Sequence, residues 1–275
     1  METLSLEEIK YIEKGKSPDC LFLIHGFCSG PEDWSAQIDF YSKFFTVIAP
    51  TLRGHDGENI NNRPMSIEQL SNDCVKILKK KKFKKIIISG HSMGTRIAID
   101  MANKVSNVSG IILVDGSRFS NYETYFRELS NFENSLNEYN YKSILTTMFS
   151  SMFFSSQHNH HKERIVERAI NVPHNYSIAL RRNTIWYDSH CIENNLKNLN
   201  LPILLLHSTK LDKDKGRAPI KVLEEVPYIN FVRSLTNNLT IKIFEETGHY
   251  ITIEEPETVN NLILEWLEGL KIHLR

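Results

Sequence analysis

A series of short apolar, β-branched runs dominates this chain, at residues 20–24, 45–49, 85–89, 110–114, 203–206 and 239–244. A strand with one wet face alternates apolar and polar residues. A run without alternation belongs to a strand covered on both faces. Amphipathic stretches lie between the runs. Ser66 and Gln69 form a capping-box pattern that opens a helix through about residue 82. A second helix is expected over 92–104. A third is expected over 256–267, with Pro256 in its first turn. Strand and helix in alternation predict an α/β fold: a mostly parallel central sheet flanked by helices on both faces.

The alternation breaks between Val114 and Ile203. Helical patterns at 122–137, 142–154, 162–171 and 178–187 fill the gap. The expected organisation is a core of residues 1–117 and 197–275, with a helical cap of residues 118–196 inserted between two core strands. Tyr125, Phe126, Phe132, Tyr141, Met148, Phe149, Met152, Phe153 and Phe154 crowd this segment. Most of these side chains read as ordinary helical core. A long insertion rich in adaptable apolar groups also suits the inner wall of a pocket.

The 275 residues are 41% hydrophobic and 24% charged, which excludes a disordered chain and a disulfide-dense mini-protein. Lys+Arg and Asp+Glu both number 33, so no net charge draws the chain to nucleic acid or to an anionic membrane. The lysine-rich stretch 79–85 falls at a helix C-terminus, where cations complement the dipole. No apolar run approaches the ~20 residues of a membrane span, and the acidic N-terminus lacks a signal-peptide pattern. Cys20, Cys28, Cys74 and Cys191 have no CxxC spacing. The reading is a cytoplasmic protein with reduced thiols, no cofactor and no metal site. His158, His160 and His161 read as a solvated loop rather than ligands. Oligomeric state has no sequence signal here.

Gly90-His91-Ser92-Met93-Gly94 follows an apolar strand and opens a helix. A sharp strand-to-helix turn strains the central residue, and flanking glycines remove the Cβ atoms that would collide. Ser92 is therefore the candidate nucleophile. It needs a base to take its proton. His249 follows the last strand run and precedes the final helix, which puts it at the same carboxyl edge of the sheet. The base needs an acid to fix its tautomer. Asp212 is the first choice, Asp214 the second and Asp115 the third, and the chain order Ser, Asp, His fits all three. An anionic intermediate needs two aligned amide donors. Met93 supplies one, and Phe27 supplies the other from the glycine-rich loop His25-Gly26-Phe27-Cys28-Ser29-Gly30.

Leu23-Ile24-His25-Gly26-Phe27, Trp34, Arg53-Gly54-His55, the serine turn, residues 202–206 followed by Asp212, and Gly248-His249 together resemble the α/β-hydrolase superfamily across nearly the whole chain outside the insertion. The resemblance implies that superfamily's fold, a Ser–Asp–His triad and a helical cap over the pocket. This sequence departs from the usual Gly-His-Gly with Gly54-His55-Asp56-Gly57, and its acid loop is about one residue longer than the common pattern. The leading expectation is hydrolysis of a small-molecule carboxylic ester or thioester with an apolar acyl group, through an acyl-enzyme. His25 and Gly26 are expected near substrate. Arg96, four residues after Ser92, also resembles the lyase branch of menaquinone biosynthesis, in which arginines hold carboxylates. Arg96, Arg118 and Arg53 are the candidates for that role here. A carbon–carbon hydrolase and a ligand-binding receptor on the same scaffold are the remaining alternatives.

Overall fold

The computed structural model describes residues 9–55, 65–135, 139–212 and 216–272. In chain order the strands are β1 (Tyr11–Lys14), β2 (Cys20–Ile24), β3 (Thr46–Pro50), β4 (Ile86–His91), β5 (Val108–Val114), β6 (Ile203–His207), β7 (Thr209–Asp212), β8 (Gly216–Pro219) and β9 (Leu239–Ile243). Seven of them form one sheet in the order β1-β3-β2-β4-β5-β6-β9, and β7 and β8 pair as a separate hairpin. Every pairing in the large sheet is parallel except β1 with β3.

The apolar runs are continuous because both faces of the sheet are covered. In β2, Cys20, Phe22 and Ile24 enter the core on one side, while Leu21 and Leu23 enter the core on the other. One layer is built on α1 (Ser35–Tyr41), the short α10 (Ile251–Glu254) and α11 (Pro256–Gly269), with Trp34, Ile38, Val259 and Ile263 against the sheet. The opposite layer includes α2 (Ile67–Lys79), α3 (Gly94–Ala102) and α9 (Pro227–Leu235). β9 lies at a sheet edge and is only partly covered, and its sequence alternates accordingly.

The Ser66 side chain accepts a hydrogen bond from the Gln69 amide at 3.1 Å, so α2 starts where the capping pattern puts it. It stops at Lys79, short of residue 82, and the remaining lysines lie in the turn before β4. Several short elements escaped the sequence reading. β1 is short, polar and at an edge, the hairpin carries no apolar run, and α1 and α9 are brief.

Among the described residues five α-helices separate β5 from β6: α4 (Tyr125–Ser135), α5 (Tyr141–Ser150), α6 (Asn159–Asn171), α7 (His174–His190) and α8 (Ile192–Lys197). The aromatic crowding here divides into two sets. α4 buries no side chain, and Tyr122 and Phe126 are exposed. Tyr141, Leu145 and Phe149 of α5 are buried, as are Met152 and Phe153 just beyond it.

Candidate active site

β4 ends at His91 and α3 begins at Gly94, so Ser92 occupies the bend between them. Its φ is 55°, in the left-handed region that costs a non-glycine residue of order 1–3 kcal/mol. The surroundings hold it there. The Ser92 amide donates to the Val114 carbonyl at 2.9 Å, and the Ser92 carbonyl accepts from the Thr95 amide and hydroxyl. A Cβ on Gly90 would lie 2.1 Å from the Gly94 carbonyl oxygen, and one on Gly94 would lie 2.5 Å from that of Ile24. Both glycines are therefore fixed by backbone packing rather than by chemistry.

Ser92 and His249 line one cavity of about 160 Å³. Phe27 and Met93 line it too, and among the described residues neither backbone amide has a partner within the chain. A Cβ on Gly26 would come within 3.1 Å of Ser92 Cβ, so any larger residue there would press the loop after β2 against the bend. His25 is not a cavity residue. It is fully buried, its Nδ1 donates to the Gly26 carbonyl and its Nε2 accepts from the Leu52 amide. His55 accepts from the Cys28 amide at 3.0 Å. The two imidazoles shape the loop from behind, and neither His25 nor Gly26, both expected near substrate, lines the cavity.

The carboxylate on His249 is Asp115. Its Oδ2 lies 2.5 Å from His249 Nδ1. This corrects the preference for Asp212, which sits in β7 and pairs with Gly216 across the hairpin. Asp214 lies outside the described residues. Sheet register explains the outcome. His91 pairs with Val114 in the β4–β5 ladder, so Ser92 and Asp115 are the next residues out along adjacent strands. The loop after β6 contributes donors instead of the acid. The Ser208 and Thr209 amides reach Asp115 Oδ1 at 2.8 and 2.9 Å, and the Thr209 hydroxyl reaches Oδ2 at 2.5 Å. Burial alone would raise the Asp115 carboxyl, but His207, His249 and Arg217 around it hold it far below the usual range.

His249 is 1% exposed, and burial, then Arg217 and His91, push its pKa well below the ordinary value, outweighing the pull of Asp115. The neutral imidazole donates from Nδ1 to the carboxylate, which leaves Nε2 as an acceptor. Its backbone is pinned on both sides. The His249 amide donates to the Met152 carbonyl at 2.8 Å, and the Gly248 and Tyr250 amides donate to the two oxygens of Glu254 at 3.2 Å each. Burial raises the Glu254 carboxyl to about 7, against these two hydrogen bonds.

Three arginines line the cavity: Arg96, Arg181 and Arg217. Arg96 is 1% exposed and bound two-pronged to Asp188 of α7, Nε to Oδ1 at 2.6 Å and Nη2 to Oδ2 at 2.7 Å. Its remaining reach goes to the Ser117 carbonyl at 2.6 Å. This pair ties the helix behind the bend to the insertion. Arg118 faces a neighbouring cavity, where its Nε donates to the Ser120 and Asp188 carbonyls at 3.0 and 3.3 Å and its Nη2 lies 3.7 Å from Glu193. Arg53 pairs with Asp73. None of the three arginines expected to hold a substrate carboxylate is therefore free to do so. Sequence reasoning missed Arg181 and Arg217, which sit in a helical insertion and a hairpin with no motif around them. Asp188→Ala is expected to destabilise the fold by about 3–5 kcal/mol, because it leaves a buried guanidinium uncompensated. Urea unfolding reads this directly. The double change Arg96→Met with Asp188→Leu is expected to recover most of the loss.

Among the described residues no group of His, Cys, Asp and Glu side chains is arranged to hold a metal ion, and no helix is long and apolar enough to cross a membrane. The four cysteines are free thiols. A sequence profile of the "Alpha/beta hydrolase family" matches residues 21–262. Protein ABHD8 of Homo sapiens is 25% identical over 265 residues, covering 92% of this chain. The chain spans 56% of that relative's length. A thermophilic esterase from Thermogutta terrifontis superposes with a TM-score of 0.74 at 20% identity, covering 98% of this chain and 96% of that one. An esterase from Exiguobacterium antarcticum gives 0.73 at 15% identity, with 94% of each chain covered. At such identities these likenesses establish the fold.

Proposed function

The chain belongs to the α/β-hydrolase family, and on that premise we propose that it hydrolyses a small carboxylic ester or thioester through an acyl-enzyme. The observation that carries this reading is the hydrogen-bonded line from Asp115 to His249 Nδ1 beside a cavity that Ser92 also lines. In this reading Ser92 attacks the carbonyl. Nε2 of His249 takes the hydroxyl proton and returns it to the leaving group. Asp115 keeps the imidazole in the productive tautomer and stabilises its charged form. The amides of Phe27 and Met93 receive the oxyanion. Water then enters by the same route and releases the acid.

Residues 118–196 act as a cap on a core of 1–117 and 197–275. Met148, Phe149 and Met152 furnish an apolar wall for the acyl chain. The lyase reading named Arg96, Arg118 and Arg53 as its carboxylate grips, and Asp188, Glu193 and Asp73 stand against these three. A receptor reading has no observation in its favour.

Incubation with p-nitrophenyl butyrate is expected to release nitrophenolate, and a fluorophosphonate probe is expected to label Ser92 alone. Labelling elsewhere, or no release and no labelling, would sink the hydrolase reading.

A further inference from the structure

The cavity carries a charge that the ester reading leaves unused. Arg96 is neutralised by Asp188 and Arg217 by Asp115, the latter at 3.2 Å. Arg181 of α7 has no such partner. Among the described residues its contact is the ring of Phe119, with the guanidinium carbon 3.6 Å from the centroid. The nearby carboxylates are fully occupied. Asp188 serves Arg96 with both oxygens and the Phe119 amide at 2.8 Å besides. Asp115 serves Ser208, Thr209, Arg217 and His249. Three guanidinium groups against two carboxylates leave one positive charge facing the cavity. Burial, then Arg96 and Arg217, draw the Arg181 pKa down to about 10, against the pull of Asp188, whose hydrogen bonds go to Arg96 and the Phe119 amide.

Stacking on an aromatic face uses the flat side of a guanidinium and leaves its N–H groups in the plane. Those groups match a carboxylate two-pronged. A partly desolvated cation without an anionic partner is costly, and a ligand anion would relieve that cost. We propose that Arg181 receives a carboxylate on the substrate, so that the preferred substrate is a short ester carrying a negative charge a few bonds from the carbonyl that Ser92 attacks. The proposal rests on the ester-hydrolase reading and amends its purely apolar acyl group. The methionine and phenylalanine wall takes the methylenes, and Arg181 takes the far end.

The test compares mono-p-nitrophenyl glutarate with p-nitrophenyl pentanoate, which differ only by a terminal carboxylate in place of a methyl group. Wild type is expected to favour the glutarate ester in kcat/KM by about tenfold or more, chiefly through KM. In Arg181→Met that ratio is expected to fall to about one or below, and Arg181→Lys is expected to restore part of it, since the charge returns without the fork. Turnover of the pentanoate ester with no preference for glutarate in wild type overturns the proposal and leaves the hydrolase reading standing. If neither ester is turned over, the hydrolase reading fails, and calorimetric titration with free glutarate decides the anion site by itself. Binding that Arg181→Met abolishes upholds the site, and no binding to wild type overturns it.

Discussion

Ser92→Ala is expected to lower kcat for p-nitrophenyl butyrate by about four to six orders of magnitude, to the level left by binding and amide donors alone. The size follows from the role. Without Oγ no acyl-enzyme forms, and the remaining groups act only on a slow attack by water. Alanine at the bend keeps the backbone donors to Val114 and from Thr95, which do not involve the hydroxyl proton. The thermal midpoint should therefore move little, and labelling by the fluorophosphonate should vanish. Turnover retained within tenfold of wild type would remove Ser92 as the nucleophile.

Asp115→Asn is expected to cost about four orders of magnitude in kcat, because the amide favours the wrong imidazole tautomer. The matched change Asp212→Asn should leave kcat within about twofold, as a substitution away from the His249 hydrogen bond. A stability loss should accompany Asp115→Asn. An amide NH₂ would face the donors from Ser208, Thr209 and Arg217 that now converge on a carboxylate. Denaturant midpoints taken with the kinetics separate the two effects. The assay temperature is held well below the variant's midpoint. If Asp212→Asn were the damaging change, His249 would be oriented by the hairpin and the present assignment would be wrong.

The difference between Asp115 and Asp212 shows where sequence reasoning ends. All three candidate carboxylates satisfied chain order, and the family pattern favoured the loop after β6. What distinguishes them is lateral. Asp115 ends the strand that pairs with the nucleophile strand, and its φ of 42° turns the chain out of the ladder at that point. A one-dimensional pattern holds no term for which strand lies beside which. One signal was available in retrospect, since Asp115 closes a buried run directly, while Asp212 stands five residues beyond the end of β6. The arginines teach the same lesson. Their number in the chain is plain, but Arg96 looked like a ligand grip until Asp188, 92 residues away, was found on it.

The amino-acid sequence alone determined the layered parallel sheet, the strand-to-helix bend at Ser92 and the presence of a long helical insertion. Each of these depends on local periodicity or on backbone sterics, which neighbouring residues carry with them. Only the tertiary structure decided which acid meets His249, that His25 supports a loop instead of lining the cavity, and that Arg181, of the three cavity arginines, is the one without an ion pair among the described residues. Those outcomes depend on strand register and on desolvated pairings between residues far apart in the chain. The energy of such contacts is set by distance and burial, which no short window of sequence contains.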